Sequence, residues 1–311
     1  CILSLCSHKV LENHLYRGRF APSPTGPLHF GSLIAAVASF LDARSMNGEW
    51  LVRMEDVDAT RNVPGAAEDI LATLAAFGFE WDGPVLWQST RGEAYAEALE
   101  GLKLAGLAFG CCCSRKEIAD LTRQAAIDGG LVYPGSCRHG MQAGRLARAW
   151  RLRVDASQTL FEDRLQGRTA QQLERDVGDF VLLRADGLFA YQLAVTVDDH
   201  FQGISHIVRG ADLLDSTPRQ IWLQRCLGYT TPSYAHLPVA SNAAGEKLSK
   251  QTLAPALEIG RASALLVNAL RFLGQPAPLE LQRAKIADVW SWAHAHGDVS
   301  AIPQVRTIPL R

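Results

Sequence analysis

The chain has 311 residues, 48% of them hydrophobic, enough to bury the core of one large domain or two smaller ones. Its 31 basic and 32 acidic side chains leave a formal net charge of −1, which excludes a globally basic nucleic-acid binder and leaves any such site to local arginine clustering. No apolar run approaches the roughly 18 residues of a bilayer span, and the short apolar start lacks the cationic opening of an export signal, so a cytoplasmic compartment and no membrane partner are expected.

Residues 1–15 read as a mobile leader. Residues 16–21 predict a short strand, followed by the turn Pro22-Ser23-Pro24-Thr25-Gly26-Pro27 and an apolar helix over 29–46. A β-rich run at 50–55 leads to a second turn at Asp56-Val57-Asp58. Pro64 then suits the first turn of a helix reaching 77, and a further helix is expected over 90–105. This strand–helix alternation predicts an α/β fold with a parallel, doubly wound sheet.

From 111 to 185 cysteines, glycines and arginines replace the alternation, with strand-like runs at 149–154 and 179–184. This stretch reads as an insertion splitting a Rossmann-like domain into halves at 16–110 and 186–255. Alternation resumes with runs at 191–197 and 204–209, a helix over 216–227 and a run at 236–241. The segment 256–311 reads as helical, with helices over 265–273 and 279–292 broken by Pro276 and Pro278.

Two segments carry phosphate chemistry. A nucleotide triphosphate needs backbone donors at a helix start, a close backbone approach and mobile cations. The run Pro22 to Gly31 offers a stiffened turn, a permissive Gly26, a hydrogen-bonding His29 and a Gly31 without a Cβ. Lys247-Leu248-Ser249-Lys250-Gln251, beside Gly245, offers two cations in a polar loop. Either alone is compatible with a rigid turn or a solvated surface; in this order they frame an ATP site.

These residues resemble a known family. Arg19-Phe20-Ala21-Pro22-Ser23-Pro24-Thr25-Gly26 with Leu28-His29-Phe30-Gly31 is similar to the N-terminal signature of glutamyl-tRNA synthetases, a branch of the class I aminoacyl-tRNA synthetases. His29-Phe30-Gly31 stands where that family has its HIGH motif, and Lys247 to Gln251 where it has KMSKS. Phe30 and Gln251 depart from the pattern. Similarity continues through Arg53-Met54-Glu55-Asp56-Val57-Asp58 with Arg61, Asp198-Asp199-His200 and Ile207-Val208-Arg209-Gly210-Ala211-Asp212, covering about 16–255. The resemblance implies ATP binding, with Mg²⁺, by Pro22, His29, Gly31, Lys247 and Lys250, of which His29, Lys247 and Lys250 are catalytic. It also implies a glutamate site lined by Arg19, Phe20, Ala21, Pro22, Ser23, Glu55, Tyr191 and Arg209. Guanidinium forks suit the two carboxylates of glutamate, and an acid suits its ammonium. The acids Asp56, Asp58, Asp198 and Asp199 are expected to order loops rather than bind Mg²⁺.

The seven cysteines include the contiguous Cys111, Cys112 and Cys113. Cys111, Cys113, Tyr133 and Cys137 form C-x-C…Y-x-x-x-C, a set that suits tetrahedral zinc, although spacing alone leaves buried free thiols equally open. The pattern resembles the zinc-binding insertion of a shortened paralogue within the glutamyl branch, which implies one structural Zn²⁺. Cys112 or His139 stands as a substitute ligand.

Between Arg138 and Arg175 there are eight arginines against four acids, and Arg151 and Arg153, alternating on a predicted strand, offer a place for backbone phosphates. About sixty residues follow Gln251, fewer than an anticodon-binding region needs. Resemblance to the shortened paralogue therefore implies a monomer that activates L-glutamate with ATP without needing tRNA, then transfers glutamate to queuosine in the anticodon of tRNA(Asp). A truncated glutamyl-tRNA synthetase, a non-catalytic glutamate- or tRNA-binding module and a small-molecule ligase are the alternatives.

Overall fold

The structure, a computed structural model, describes residues 15–127, 129–242 and 255–310. Residues 1–14 of the expected leader and the lysine-bearing segment Lys247 to Gln251 lie outside these residues. The first half of the fold runs β1 (Arg17–Phe20), α1 (Phe30–Ser45), β2 (Glu49–Met54), α2 (Ala66–Ala76), β3 (Leu86–Trp87) and α3 (Gly92–Leu104). β1, β2 and β3 are parallel neighbours in that order, as the alternation predicts. The predicted helix at Pro64 begins two residues later, at Ala66, with Gly65 at its N-cap in the left-handed region.

The middle of the chain runs β4 (Ala108–Cys111), α4 (Arg115–Leu121), β5 (Ala149–Leu152), β6 (Gln158–Asp163), β7 (Gly167–Gln172), α5 (Leu173–Asp176) and β8 (Phe180–Leu183). β4, β5 and β8 make an antiparallel sheet of their own. The β6–β7 hairpin does not join it, and instead extends the main sheet through a parallel pairing with β10.

The last part runs α6 (Tyr191–Phe201), β9 (His206–Gly210), α7 (Thr217–Leu227), β10 (Ser233–Leu237), β11 (Val239–Ser241), α8 (Ala262–Phe272), α9 (Ile286–His296) and β12 (Thr307–Pro309). The run at 191–197 opens helix α6. Its β-branched residues Val195, Thr196 and Val197 are all buried, so helix packing overrides their strand preference. α7 starts with Pro218 in its first turn and stops at Gly228, which takes a left-handed cap. The expected helix over 279–292 is a 3₁₀ turn at Leu279–Arg283 followed by α9.

β1 and β9 meet where Ser205 N–H donates to the Arg17 carbonyl (3.0 Å) and Arg17 N–H to Ser205 Oγ (2.9 Å). From β1 the chain winds through α1 to β2 on one side. From β9 it winds through α7 to β10 on the other. Such a switch point opens a crevice at the carboxyl ends of the strands, here at Phe20 and Gly210. The larger core packs around α1, in which ten successive or near-successive residues from Leu33 to Ala43 are buried. Phe40, Trp50, Phe79 and Trp290 interlock there, and Trp290 Nε1 donates to the Phe77 carbonyl at 2.9 Å. The C-terminal helices are thereby tied to the first half. A second core holds Tyr95, Leu102, Leu152, Leu182, Leu193 and Leu223. No helix among the described residues is long and apolar enough to cross a membrane.

Candidate active site and cysteine centre

A cavity of about 290 Å³ opens at the switch point. The structure brings together on its wall Arg19, Phe20, Ala21, Pro22, Ser23, His29, Gly31, Glu55, Tyr191 and Arg209, every candidate that falls among the described residues. Thr25, Asp212 and the stretch from Leu237 to Ala240 also line it. Arg19 sits near the end of β1, Glu55 just past β2, Tyr191 at the first turn of α6 and Arg209 near the end of β9. Gly26 holds φ +137°, a conformation that L side chains rarely adopt, and so lets the Pro-rich turn deliver α1 to the cavity. A Cβ on Gly210 would meet Asp212 Oδ1, so a larger residue there would displace the Asp212 side chain on the cavity wall.

The start of α1 faces the same space. His29 caps it, its Nδ1 accepting from Ser32 N–H at 3.4 Å, and Gly31 lies on the cavity wall. A helix start presents unpaired N–H groups and positive potential, which suits phosphate. Beyond the undescribed segment the chain returns here: His29 bridges to Ala256, and Leu257 N–H donates to the Leu28 carbonyl at 3.0 Å. Before it, Val239 and Ala240 of β11 line the cavity. The described residues on both sides of the lysine-bearing segment thus border this one space.

Charge is buried under the floor. Arg19 Nε bonds Asp199 Oδ1 at 3.1 Å, and Arg53 NH1 reaches the same oxygen at 2.8 Å. Arg53 NH2 lies 3.4 Å from Glu55 Oε1. Burial works against an ionised Asp199, but Arg19 and Arg53 overcome it and hold its carboxyl below the usual range. Glu55 has less help. Burial pushes its carboxyl up, and Arg53 and Arg19 recover only part of that. Burial likewise raises the Tyr191 phenol, with Glu55 adding to it. Arg209 is 5% exposed, gives Nε to His236 and NH2 to Thr217, and leaves NH1 buried with no partner. A buried guanidinium nitrogen without an acceptor on a cavity wall calls for an anion.

Sequence reasoning missed Arg53 and the depth of Asp199. The available signal was a charge inside the apolar strand Glu49–Met54, because a strand covered on both faces tolerates arginine only with a buried partner. The other acids order the surroundings. Asp56 accepts from Ser89 N–H and Oγ, and Asp58 binds Thr60, Arg61 and Arg184. Asp198 holds Gln88, Arg91 and Tyr95.

A second cluster lies in the insertion. The Sγ atoms of Cys111, Cys113 and Cys137 lie within 4.8 Å of one another. Cys113 Sγ is 3.6 Å from Cys137 Sγ, and Tyr133 Oη is 3.4 Å from Cys111 Sγ. Thiolates around tetrahedral zinc stand about 3.8 Å apart for Zn–S bonds of about 2.3 Å, so this donor set fits that metal. Burial opposes a thiolate at Cys137, but the Cys112 backbone and the Tyr133 hydroxyl bring it down to about 7. Burial and the bond to Cys137 raise Cys113 to about 12. Arg151 stacks on the Tyr133 ring at 3.8 Å, while burial and the bond to Cys111 push the phenol well above its usual range. His139 is exposed and outside the cluster, which removes it as a substitute ligand. Cys112 Sγ approaches Cys137 Sγ at 3.6 Å without belonging to the group that shares a common centre.

The expected arginine face needs correcting. Arg151 donates to the Asp179 carbonyl and Arg153 to the Gly106 carbonyl while lying over Phe109. Arg153 also falls outside β5. Arg138, Arg145, Arg164 and Arg175 are each paired with an acid. These six side chains are held by the protein's own acids, carbonyls and rings and do not make the free stripe that spacing suggested, while the other two of the eight, Arg148 and Arg168, are exposed.

The comparisons agree with this geometry. Residues 16–280 match the family of tRNA synthetases class I (E and Q), catalytic domain, and the chain belongs to that family, as an ATP-dependent ligase. Within the class it falls with the glutamyl-Q tRNA(Asp) synthetases. It is 72% identical to the protein of that name from Dechloromonas aromatica, over 96% of this chain and 99% of the relative. It is 58% identical to the one from Chromobacterium violaceum, over 94% and 97%. The glutamate-tRNA synthetase structure from Elizabethkingia anophelis superposes with a TM-score of 0.79 at 21% identity, over 96% of this chain and 68% of that one, and shares the fold.

Proposed function

We propose that the cavity activates L-glutamate with Mg²⁺–ATP, without needing tRNA, and that the glutamate then passes to queuosine in the anticodon of tRNA(Asp). The observation that supports this most is the unpaired NH1 of Arg209 in a buried cavity that also holds Arg19 and Glu55. Two guanidiniums and one carboxylate mirror the two carboxylates and one ammonium of glutamate. In the first step a glutamate α-carboxylate oxygen attacks the α-phosphorus. The bond to the β-phosphate breaks, and pyrophosphate leaves with that electron pair. In the second step an acceptor hydroxyl oxygen attacks the acyl carbon, the acyl–phosphate bond breaks, and AMP leaves with that electron pair and takes the hydroxyl proton on a phosphate oxygen. The first step requires no general base, because a carboxylate is the nucleophile. Arg19, Tyr191 and Arg209 would orient the acid, while His29 and the start of α1, with Lys247 and Lys250, would meet the phosphates. Cys111, Cys113, Cys137 and Tyr133 would hold a structural Zn²⁺, whose contribution is to cross-link the insertion.

The test is transfer of radiolabelled glutamate to tRNA(Asp) prepared with and without queuosine. Label only on the queuosine-bearing tRNA is expected. Equal label on both, or label released by removing the tRNA 3′ end, would sink the transfer step while leaving glutamate activation standing.

A further inference from the structure

We propose that Asp163 and His236 are positioning residues that aim Arg209 at the substrate: Asp163 keeps the His236 proton on Nδ1, so that Nε2 remains an acceptor for the guanidinium.

Asp163 ends β6, in the hairpin contributed by the insertion, and His236 lies on β10 opposite Arg209 of β9. Both side chains are fully buried. Asp163 Oδ1 accepts three backbone N–H groups, from Leu165 (3.0 Å), Gln166 (2.9 Å) and His236 (3.1 Å). Oδ2 is then left to His236 Nδ1 at 2.5 Å. A carboxylate so fixed is ionised and cannot rotate, and burial of its charge is more than offset by these bonds.

The remaining protons follow from matching donors to acceptors. Arg209 Nε always carries hydrogen and lies 3.1 Å from His236 Nε2, which must therefore present its lone pair. Arg209 NH2 donates to Thr217 Oγ1 at 2.8 Å, and the Thr217 hydroxyl can give its own hydrogen to the His236 Nε2 lone pair (3.0 Å) or to the Leu213 carbonyl (3.3 Å), so it too is served by Nε2 as an acceptor. Two of the three guanidinium nitrogens are thus pinned from behind, and NH1 alone stays buried without a partner. Burial keeps His236 neutral, its pKa lowered to about 4, in agreement with Nε2 as an acceptor. The insertion's hairpin thereby becomes part of the amino-acid site, which nothing in the spacing of residue 163 suggests. The inference rests on the reading of Arg209 as a glutamate-carboxylate group.

Asp163→Asn is the discriminating change. Its Oδ1 can still take the three backbone bonds, but its amide would donate to His236 Nδ1. The proton would move to Nε2, and two N–H groups would then face each other at Arg209. In glutamate-dependent ATP–pyrophosphate exchange without tRNA, the glutamate KM is expected to rise about tenfold or more, as when a supporting hydrogen bond is misdirected elsewhere, with the ATP KM unchanged. Nitrogen-15 NMR of the nine histidines is expected to show His236 protonated on Nδ1 in the unmodified protein and on Nε2 in the variant. A wild-type glutamate KM in Asp163→Asn, or an Nε2 proton in the unmodified protein, would overturn the inference. The second readout decides even if the variant fails to fold. Arg209→Ala run alongside separates the two readings: an unchanged glutamate KM there would remove the carboxylate role of Arg209 itself.

Discussion

The cavity and the cysteine centre both gather demanding side chains, but by opposite routes. Arg19, Glu55, Tyr191 and Arg209 come from four separate places in the chain and meet only because strands β1, β2 and β9 and helix α6 converge at the switch point. Cys111, Cys113, Tyr133 and Cys137 come from one stretch at the end of β4 and the loops after α4. In the cavity Arg19 and Arg53 are paired with Asp199, and Arg209, held by His236 and Thr217, keeps NH1 on the wall without a partner. Among the cysteines the thiols share hydrogen bonds with one another, while Arg145 holds the Cys112 carbonyl and Arg151 lies over the Tyr133 ring. The first arrangement is pre-organised by protein alone. The second has a donor set that a cation would complete.

That contrast can be broken from either side. Arg209→Ala removes a charged hydrogen-bond donor from the cavity and should cost glutamate-dependent exchange about 100-fold in kcat/KM, equivalent to about 3 kcal/mol, with the melting midpoint near that of the unaltered protein. A loss of melting midpoint with little loss of exchange would reverse the picture. Cys113→Ser or zinc chelation should do the opposite. The midpoint should fall by roughly 4–8 °C, about 2 kcal/mol for a domain of this size, while the folded fraction keeps its glutamate KM. Failure of a chelator to move the midpoint would exclude a structural metal.

Glu55 offers a subtler test through pH. Burial raises its carboxyl pKa, and only the ionised form can meet the substrate ammonium. The glutamate KM should therefore rise as pH falls, starting above the ordinary glutamate range and by at most about tenfold per unit for a single proton. The ATP KM should not follow. Folding stability depends on His236 with a definite sign. Its folded pKa of about 4 lies below the unfolded value of about 6.5, so between those values the unfolded chain binds the extra proton. Stability should be complete above about 6.5 and decline as pH drops toward 4. Arg145→Ala, which opens an ion pair with Glu117 at the surface of the insertion, should leave both exchange and midpoint close to the original.

Much of the cavity was legible in the sequence because its parts announce themselves locally. The Pro/Gly turn, the capping His29 and the arginines at strand ends are each one-dimensional signals, and the parallel sheet follows from strand–helix alternation. The cysteine spacing was equally local. What stayed hidden was tertiary. Arg53 and Asp199 pair across 146 positions of chain to build the floor, and Asp163 reaches His236 across 73; no periodicity encodes such partners. The run at 191–197 has β-branched residues, yet burial on all sides made it helix. Arg151 and Arg153 show the limit of charge counting, since composition reports a cation but not the ring or carbonyl that already occupies it.

The measurement that bears most directly on the central claim is ATP–pyrophosphate exchange by the unaltered protein with no tRNA present, comparing glutamate with glutamine. A cavity whose buried arginine waits for a carboxylate should support exchange with glutamate and reject the amide. Exchange that requires tRNA, or that proceeds equally with glutamine, would contradict the account.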